Sequence, residues 1–287
     1  MEFYLTAIIL GLCLAAMGLG IFMSMKIFNI PDITTDGSYT LGAVVTAVML
    51  LNNISFFIIV PTVLLCGAIA GCITAFIHTK FKIDALLAGI LTMTALYSIN
   101  LIILGRSNQP LINTKNIFTY INIFNSDIFN QLIIISSIII LIFSFLYYLL
   151  KTDFGIAMRA TGNNSFMVRA LGVNDSKMKI LGLAIANSLT CFAGFLVAQY
   201  QGFTDINMGI GIVITGLGSV LIADALRKIL KLNNIFWQLF LVIVSSILFQ
   251  LVLAFTLSIG INPNLLKLVT ASFVLLIVGL TRFQKTV

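Results

Sequence analysis

The sequence predicts an all-α fold, a polytopic helical transmembrane protein of about eight to ten spans. Three observations carry that expectation. Hydrophobic residues fill 60% of the 287 positions and charged residues only 9%, with a mean hydropathy of +1.13; an average soluble domain is about 25% charged. Apolar runs of about 18 residues or more, enough for a helix to cross about 30 Å of hydrocarbon, recur along the chain. The charges collect in the short stretches between those runs.

Apolar windows place about nine spans, at residues 4–24, 38–51, 54–78, 84–104, 130–150, 178–200, 206–225, 234–258 and 265–281. The second is short and the seventh is rich in glycine. The first reads as a retained span, because it lacks a basic leader and exceeds the apolar core of a secretory signal. Residues 1–287 form a single membrane domain on this reading.

Alternating the spans sorts the 16 basic residues into 13 on one side and three (Arg106, Lys115 and Lys267) on the other. By the positive-inside rule the richer side is cytoplasmic, which places the C-terminus inside and the N-terminus outside. This bias accounts for the formal charge of +7. No basic run exceeds Arg227-Lys228 and no aromatic residues are interleaved with the cations, so no nucleic-acid partner is expected.

Cys13, Cys66, Cys72 and Cys191 lie inside apolar runs without metal-type spacing and read as packing residues. His78 ends a run beside Lys80 and Lys82, at headgroup level. No metal or cofactor is expected. Gly67 and Gly71 form a G-x-x-x-G with Ala68 and Ala70 alongside, and Ala184, Ala186 and Gly194 make a similar small-residue surface; both predict close helix contacts.

Two connections are long. The external one, at about residues 105–129, carries Asn108, Asn113, Asn116, Asn122 and Asn125 and reads as a solvated connector or a docking surface for an outer partner. The cytoplasmic one, at about residues 151–179, is KTDFGIAMRATGNNSFMVRALGVNDSKMK. Asp153 is placed to cap a first short amphipathic helix; after Gly162-Asn163-Asn164 a second follows, with Phe166, Met167, Ala170 and Leu171 on one stripe. A weak internal symmetry also shows. Asp36-Gly37 opens one short glycine-bearing span and Asp205 through Gly211 opens another, a pairing that marks substrate routes in transporters built from repeats.

The chemistry that is missing narrows the function. There is no phosphate-cradling GxxxxGK[ST] loop and no dinucleotide fingerprint in a strand-turn-helix setting. The nine acids (Glu2, Asp32, Asp36, Asp84, Asp127, Asp153, Asp175, Asp205 and Asp224) lie nearly all at span ends, without paired carboxylates or a second histidine. An enzyme is therefore not expected, and ATP-driven transport would take its ATPase from another chain. Asp36 and Asp205 are the candidates that keep an ion-coupled secondary carrier or channel as the alternative.

The stretch from Gly155 to Leu221 resembles the permease subunits of bacterial ABC importers of the branched-chain amino-acid/ribose type. Gly155, Arg159, Ala160, Ala170, Leu171, Gly172, Val173, Ala193, Gly194, Gly216, Gly218 and Ser219 match its pattern, and DGSYTLGA at residues 36–43 resembles its first pore-helix motif. Size brings the chain nearest the uncharacterised or tryptophan/tyrosine-type amino-acid permeases. The resemblance implies a separate ABC ATP-binding subunit, an extracytoplasmic solute-binding protein, a second permease copy as a homodimer or a close relative, and an amino acid as substrate. It also implies that Gly155, Arg159, Ala160, Phe166, Met167, Arg169, Ala170 and Leu171 face the ATPase, with Gly162 and Gly172 turning the chain into and out of the docking helix. Asp36, Tyr39, Thr40, Asn100, Gln199 and Thr215, with Thr92 and Thr94, are polar residues inside spans that line a pathway or bond neighbouring helices.

Overall fold

The computed structural model describes residues 2–283 except 113, 115, 121–125 and 263–264. Asn113, Lys115, Asn122, Asn125 and Lys285 therefore lie outside the described residues. Among the described residues, nine helices reach 18 residues or more: α1 (Glu2–Phe22), α2 (Thr34–Leu51), α3 (Phe56–Lys80), α4 (Ala85–Leu104), α6 (Asp127–Lys151), α9 (Asp175–Gln201), α10 (Ile212–Ile229), α11 (Ile235–Ser258) and α12 (Leu266–Phe283). Short helices α5 (Ile117–Tyr120), α7 (Asp153–Asn163) and α8 (Ser165–Ala170) lie between them. Seven helical segments are long and apolar enough to cross a membrane, α1 counted with the turn that closes it (Glu2–Ile27) and α10 with the turn before it (Ile206–Ile229). The other two are α2, which is shut inside the bundle, and α12, whose apolar part is shorter.

Helix α9 is the axis of the bundle, and small residues set how closely its neighbours approach. In lipid, apolar surface gains nothing from leaving solvent, so helices associate where backbones can meet. A Cβ added at Gly42 of α2 would sit 1.8 Å from the Cys191 carbonyl oxygen of α9, and one at Gly71 of α3 would sit 2.2 Å from that of Leu183. Gly194 faces the Tyr39 carbonyl at 2.0 Å in the same sense. The opposite faces of α3, α4 and α6 present Phe57, Ile102, Leu141 and Tyr148, all largely exposed, as the lipid-facing girdle.

The connections sort to two ends. At one, Lys26 pairs with Asp224 at 2.9 Å, Asn29 Nδ2 donates to the Gly162 carbonyl at 3.0 Å, and α7 and α8 lie across the bundle. At the far end, β1 (Asn108–Pro110) pairs antiparallel with β2 (Phe203–Asp205), Gln109 opposite Thr204, and the Tyr200 hydroxyl donates to the Thr6 carbonyl. The long Asn-bearing connection is thus partly a structural clasp.

The structure refines one local expectation and corrects two. The seventh span is found at Ile206–Ile229 but is built in two pieces: a 3-10 turn (Ile206–Gly209) precedes Gly211, at φ 82°, and α10 begins at Ile212. Glycine makes the interruption possible, since Gly211 takes the left-handed turn without strain. The second span starts four residues early, at Thr34, after an irregular stretch that follows the π-helical turn Met23–Ile27 closing α1. Thr152, not Asp153, caps α7, accepting from the Gly155 N–H at 3.3 Å.

Candidate functional site

The two interrupted segments meet inside the bundle. Asp36, in the first turn of α2, is 5% exposed and turns both carboxylate oxygens to the start of α10: the Gly211 N–H donates to Oδ2 at 2.9 Å and the Val213 N–H to Oδ1 at 2.8 Å. The first N–H groups of a helix have no partner within it and carry partial positive charge, so a carboxylate from another helix satisfies both needs. Beside it, Thr40 Oγ1 bonds the Asp36 carbonyl at 3.1 Å, Asn100 Nδ2 reaches the Gly37 carbonyl at 3.2 Å from α4, and Gly209 packs where a Cβ would meet the Asp36 carbonyl oxygen at 2.2 Å.

A second polar cluster lies near the start of α2. Asp32 accepts from the Thr34 N–H at 2.9 Å and from Asn187 Nδ2 at 2.7 Å, while Ser38 Oγ donates to Asn187 Oδ1 at 2.7 Å. Thr34 and Thr74 hydroxyls lie 2.8 Å apart, tying α2 to α3. All five are buried. Neither Asp32 nor Asn187 is paired with a cation among the described residues, so the carboxylate is held by hydrogen bonds alone.

At the end that gathers Lys26 and Asp224, α7 and α8 divide the work. Buried Gly155, Met158 and Thr161 hold α7 down, and a Cβ at Gly155 would sit 2.3 Å from the Leu149 carbonyl oxygen. Helix α8 is capped by Asn164, whose Oδ1 accepts from the Phe166 and Met167 N–H groups, both at 3.1 Å. Val168 alone of its six residues is buried. Phe166, Met167 and Leu171 are 79%, 62% and 72% exposed, and Ala170 is exposed beside them. Arg169 grips Asp175 bidentately, Nε and Nη2 each at 2.7 Å, and hydrogen bonding to that carboxylate raises the guanidinium's already high pKa. A short helix with a greasy outer face is thus fixed rigidly at its N-cap and through its last turn.

Comparison with known proteins decides what this geometry belongs to. The family model described as branched-chain amino acid transport system / permease component matches residues 3–279. The chain belongs to this permease family. It is 40% identical over 261 residues to the tyrosine transport system permease protein of Clostridioides difficile (strain R20291), covering 91% of this chain and 85% of the relative. It is 35% identical to an uncharacterised protein of Rickettsia prowazekii (strain Madrid E), covering 94% of each. A solved structure of PsaBC from Streptococcus pneumoniae in complex with Fab shares the fold, with a TM-score of 0.52 at 18% identity, over 96% of this chain and 89% of that one.

As a permease component of an ABC-type transporter for amino acids or sugars, the chain is a multi-pass protein of the bacterial plasma membrane, and its family is one of transport components. In this permease the polar residues singled out inside spans do not form one set. Asp36, Tyr39, Thr40 and Asn100 gather around the start of α2. Gln199 lies at the far end, accepting from the Ile117 N–H at 3.0 Å. Thr215 lines a separate narrow crevice with Ser219, Ser246 and Gln250, of about 10 Å³, close to the minimum for one water. Thr92 bonds its own helix at the Ala88 carbonyl.

The permease's two linker glycines also differ. Gly172 has φ 82° and open space around it, as a turning residue requires. Gly162 is helical, and a Cβ there would lie 1.7 Å from the Ile27 carbonyl oxygen, so it serves close packing of α7 on the end of α1 rather than a turn. Arg159 and Ala160 are partly buried on α7, away from the exposed face of α8. Asp32, Asn187 and Ser38 were missed by sequence reasoning. Asp32 follows Pro31 two residues before a Thr, an Asx-turn signal legible in the chain, but only the fold brings Asn187 to it.

Proposed function

We propose that this permease is the membrane-spanning subunit of an ATP-driven importer of an amino acid, and that α8 docks in a groove of a separate ATP-binding subunit on the cytoplasmic side. The observation that carries the proposal is the exposed Phe166, Met167 and Leu171 on a helix locked by the Asn164 cap and the Arg169–Asp175 pair. Apolar side chains on a polar end of a membrane protein call for a partner. Rigidity is what lets displacement of that partner be passed on rather than absorbed.

The amino-acid substrate is supported by the 40% identical relative named for tyrosine transport. Two copies of this chain would enclose one pathway, rocking between outward- and inward-facing states as ATP binds and is hydrolysed, and an extracytoplasmic solute-binding protein would deliver the ligand to the far end. Asp36, Tyr39, Thr40 and Asn100 are the pathway-side residues of this reading, with Gln199 and Thr215 at its two flanks. Phe166→Asp in the assembled transporter is expected to abolish substrate-stimulated ATP hydrolysis while the chain still inserts and folds. Transport by the purified chain in liposomes without an ATPase, following a proton or sodium gradient, would replace this reading with an ion-coupled carrier.

A further inference from the structure

A cavity of about 440 Å³ opens at the basic end between the close of α1, α7, α10 and α11. We propose that it is a binding site for a phosphate-bearing anion, the headgroup of an anionic lipid or free phosphate. Lys26, Arg159, Asp224, Arg227 and Gln238 line it. Asp224 is the acceptor for Lys26, Arg227 and Lys228, each at 2.9 Å. One carboxylate cannot neutralise three cations, so the cluster is net positive before Arg159 is counted.

Arg159 is the decisive group. Its Nε is sealed from solvent and has no hydrogen-bond partner, although a guanidinium N–H taken out of water without an acceptor is costly. The Arg159 side chain lines the cavity, and guanidinium geometry suits a phosphate bound there better than any neutral ligand. Of the remaining walls, Asn163 and Asn233 are polar and Phe22, Ile27, Val220, Ala223 and Ile235 are apolar. A cationic, mostly polar lining of this kind suits an anionic headgroup.

The depth of the cavity points to lipid as its source. Ile235 is followed by Phe236 and the chain's single tryptophan, Trp237, both 39% exposed. Phe236 packs on Tyr147 at 5.5 Å, and Lys151 Nζ lies 4.6 Å from the Tyr147 ring centroid. Aromatic rings with a lysine above them mark the headgroup layer, where basic clefts between helices take anionic headgroups. Because α7 forms one wall, an occupied site would brace the helix that carries α8.

Native mass spectrometry of the full chain in neutral detergent, titrated with phosphatidylglycerol, with phosphatidylcholine and with inorganic phosphate, tests the proposal. Retention of phosphatidylglycerol over phosphatidylcholine is expected, and Arg159→Gln and Lys26→Gln should each weaken it by on the order of tenfold, the loss of one charge-assisted bond. Arg106→Gln, at the far end, should leave it unchanged. Competition by inorganic phosphate, with the same loss in both variants, would assign the site to free phosphate. Equal retention of the two lipids together with no binding of inorganic phosphate, or retention unaffected in both variants, would overturn the proposal; Lys26→Gln carries the test if Arg159→Gln does not fold.

Discussion

Replacing Asp36 by alanine removes the carboxylate that α2 lends to the start of α10. Two hydrogen bonds to a charged acceptor, at 2.9 and 2.8 Å, are lost, and the Gly211 and Val213 N–H groups are left inside the bundle without partners. Bonds to charged groups contribute about 1.5–3 kcal/mol each, less the burial cost of the carboxylate that the substitution relieves, so a net loss of about 2–4 kcal/mol is expected. The assay is reversible unfolding of the purified chain from mild micelles by titration with a denaturing detergent. Asp205→Ala is the matched control: that carboxylate caps a short turn through Asn207 N–H at 2.7 Å near the surface, where loss of a cap costs about 1 kcal/mol. If Asp36→Ala unfolds with the same free energy as wild type, or costs less than Asp205→Ala, then the carboxylate does not hold the two interrupted segments together and the reasoning fails. A retained fold with abolished transport would instead place Asp36 on the pathway itself.

Other outcomes follow from the same contacts. Asn187→Leu takes a donor from the buried Asp32 carboxylate and a partner from Ser38; about 1.5–3 kcal/mol should be lost in the same unfolding assay, the worth of a hydrogen bond to a charged group. Gly42→Leu, with its Cβ driven into the Cys191 carbonyl, should prevent assembly of the bundle, read as loss of monodisperse protein on size-exclusion chromatography, whereas Gly105→Ala, which has open space and pays only for φ 71°, should fold at a cost of about 1 kcal/mol. Arg169→Glu should leave insertion intact but uncouple ATP hydrolysis from transport in reconstituted vesicles, because α8 loses the Asp175 tie that fixes its last turn. Retention of full coupling in that variant would show that α8 transmits motion without being rigid.

Nearly all of the membrane architecture was legible in the chain, because length and apolarity are one-dimensional properties. The windows at 54–78, 84–104 and 234–258 fall within two residues of α3, α4 and α11. The same applies to the apolar stripe of α8: Phe166, Met167, Ala170 and Leu171 need only helical periodicity to be seen, whereas Asn164 as its cap came from the structure. Hydropathy failed where polarity and glycine sit inside a span. It placed the span from Ile206 without showing that a 3-10 turn precedes α10, and it could not say that α2, with Asp36, Ser38 and Thr40 along it, is sheltered by other helices instead of by lipid.

By itself, then, the sequence determined that this protein spans a membrane many times, which side gathers its cations, and that a short amphipathic helix waits at that side, since each of these depends on local composition and periodicity. Only the tertiary structure decided that Asp36 is spent on the Gly211 and Val213 N–H groups, that Asp32 is held by Asn187 across 155 residues of chain, and that Gly162 is a packing contact. The physical reason is that a buried polar group needs a partner. Which distant backbone or side chain supplies it depends on how closely the helices approach, and here that is set by where glycines let α2, α3 and α9 meet.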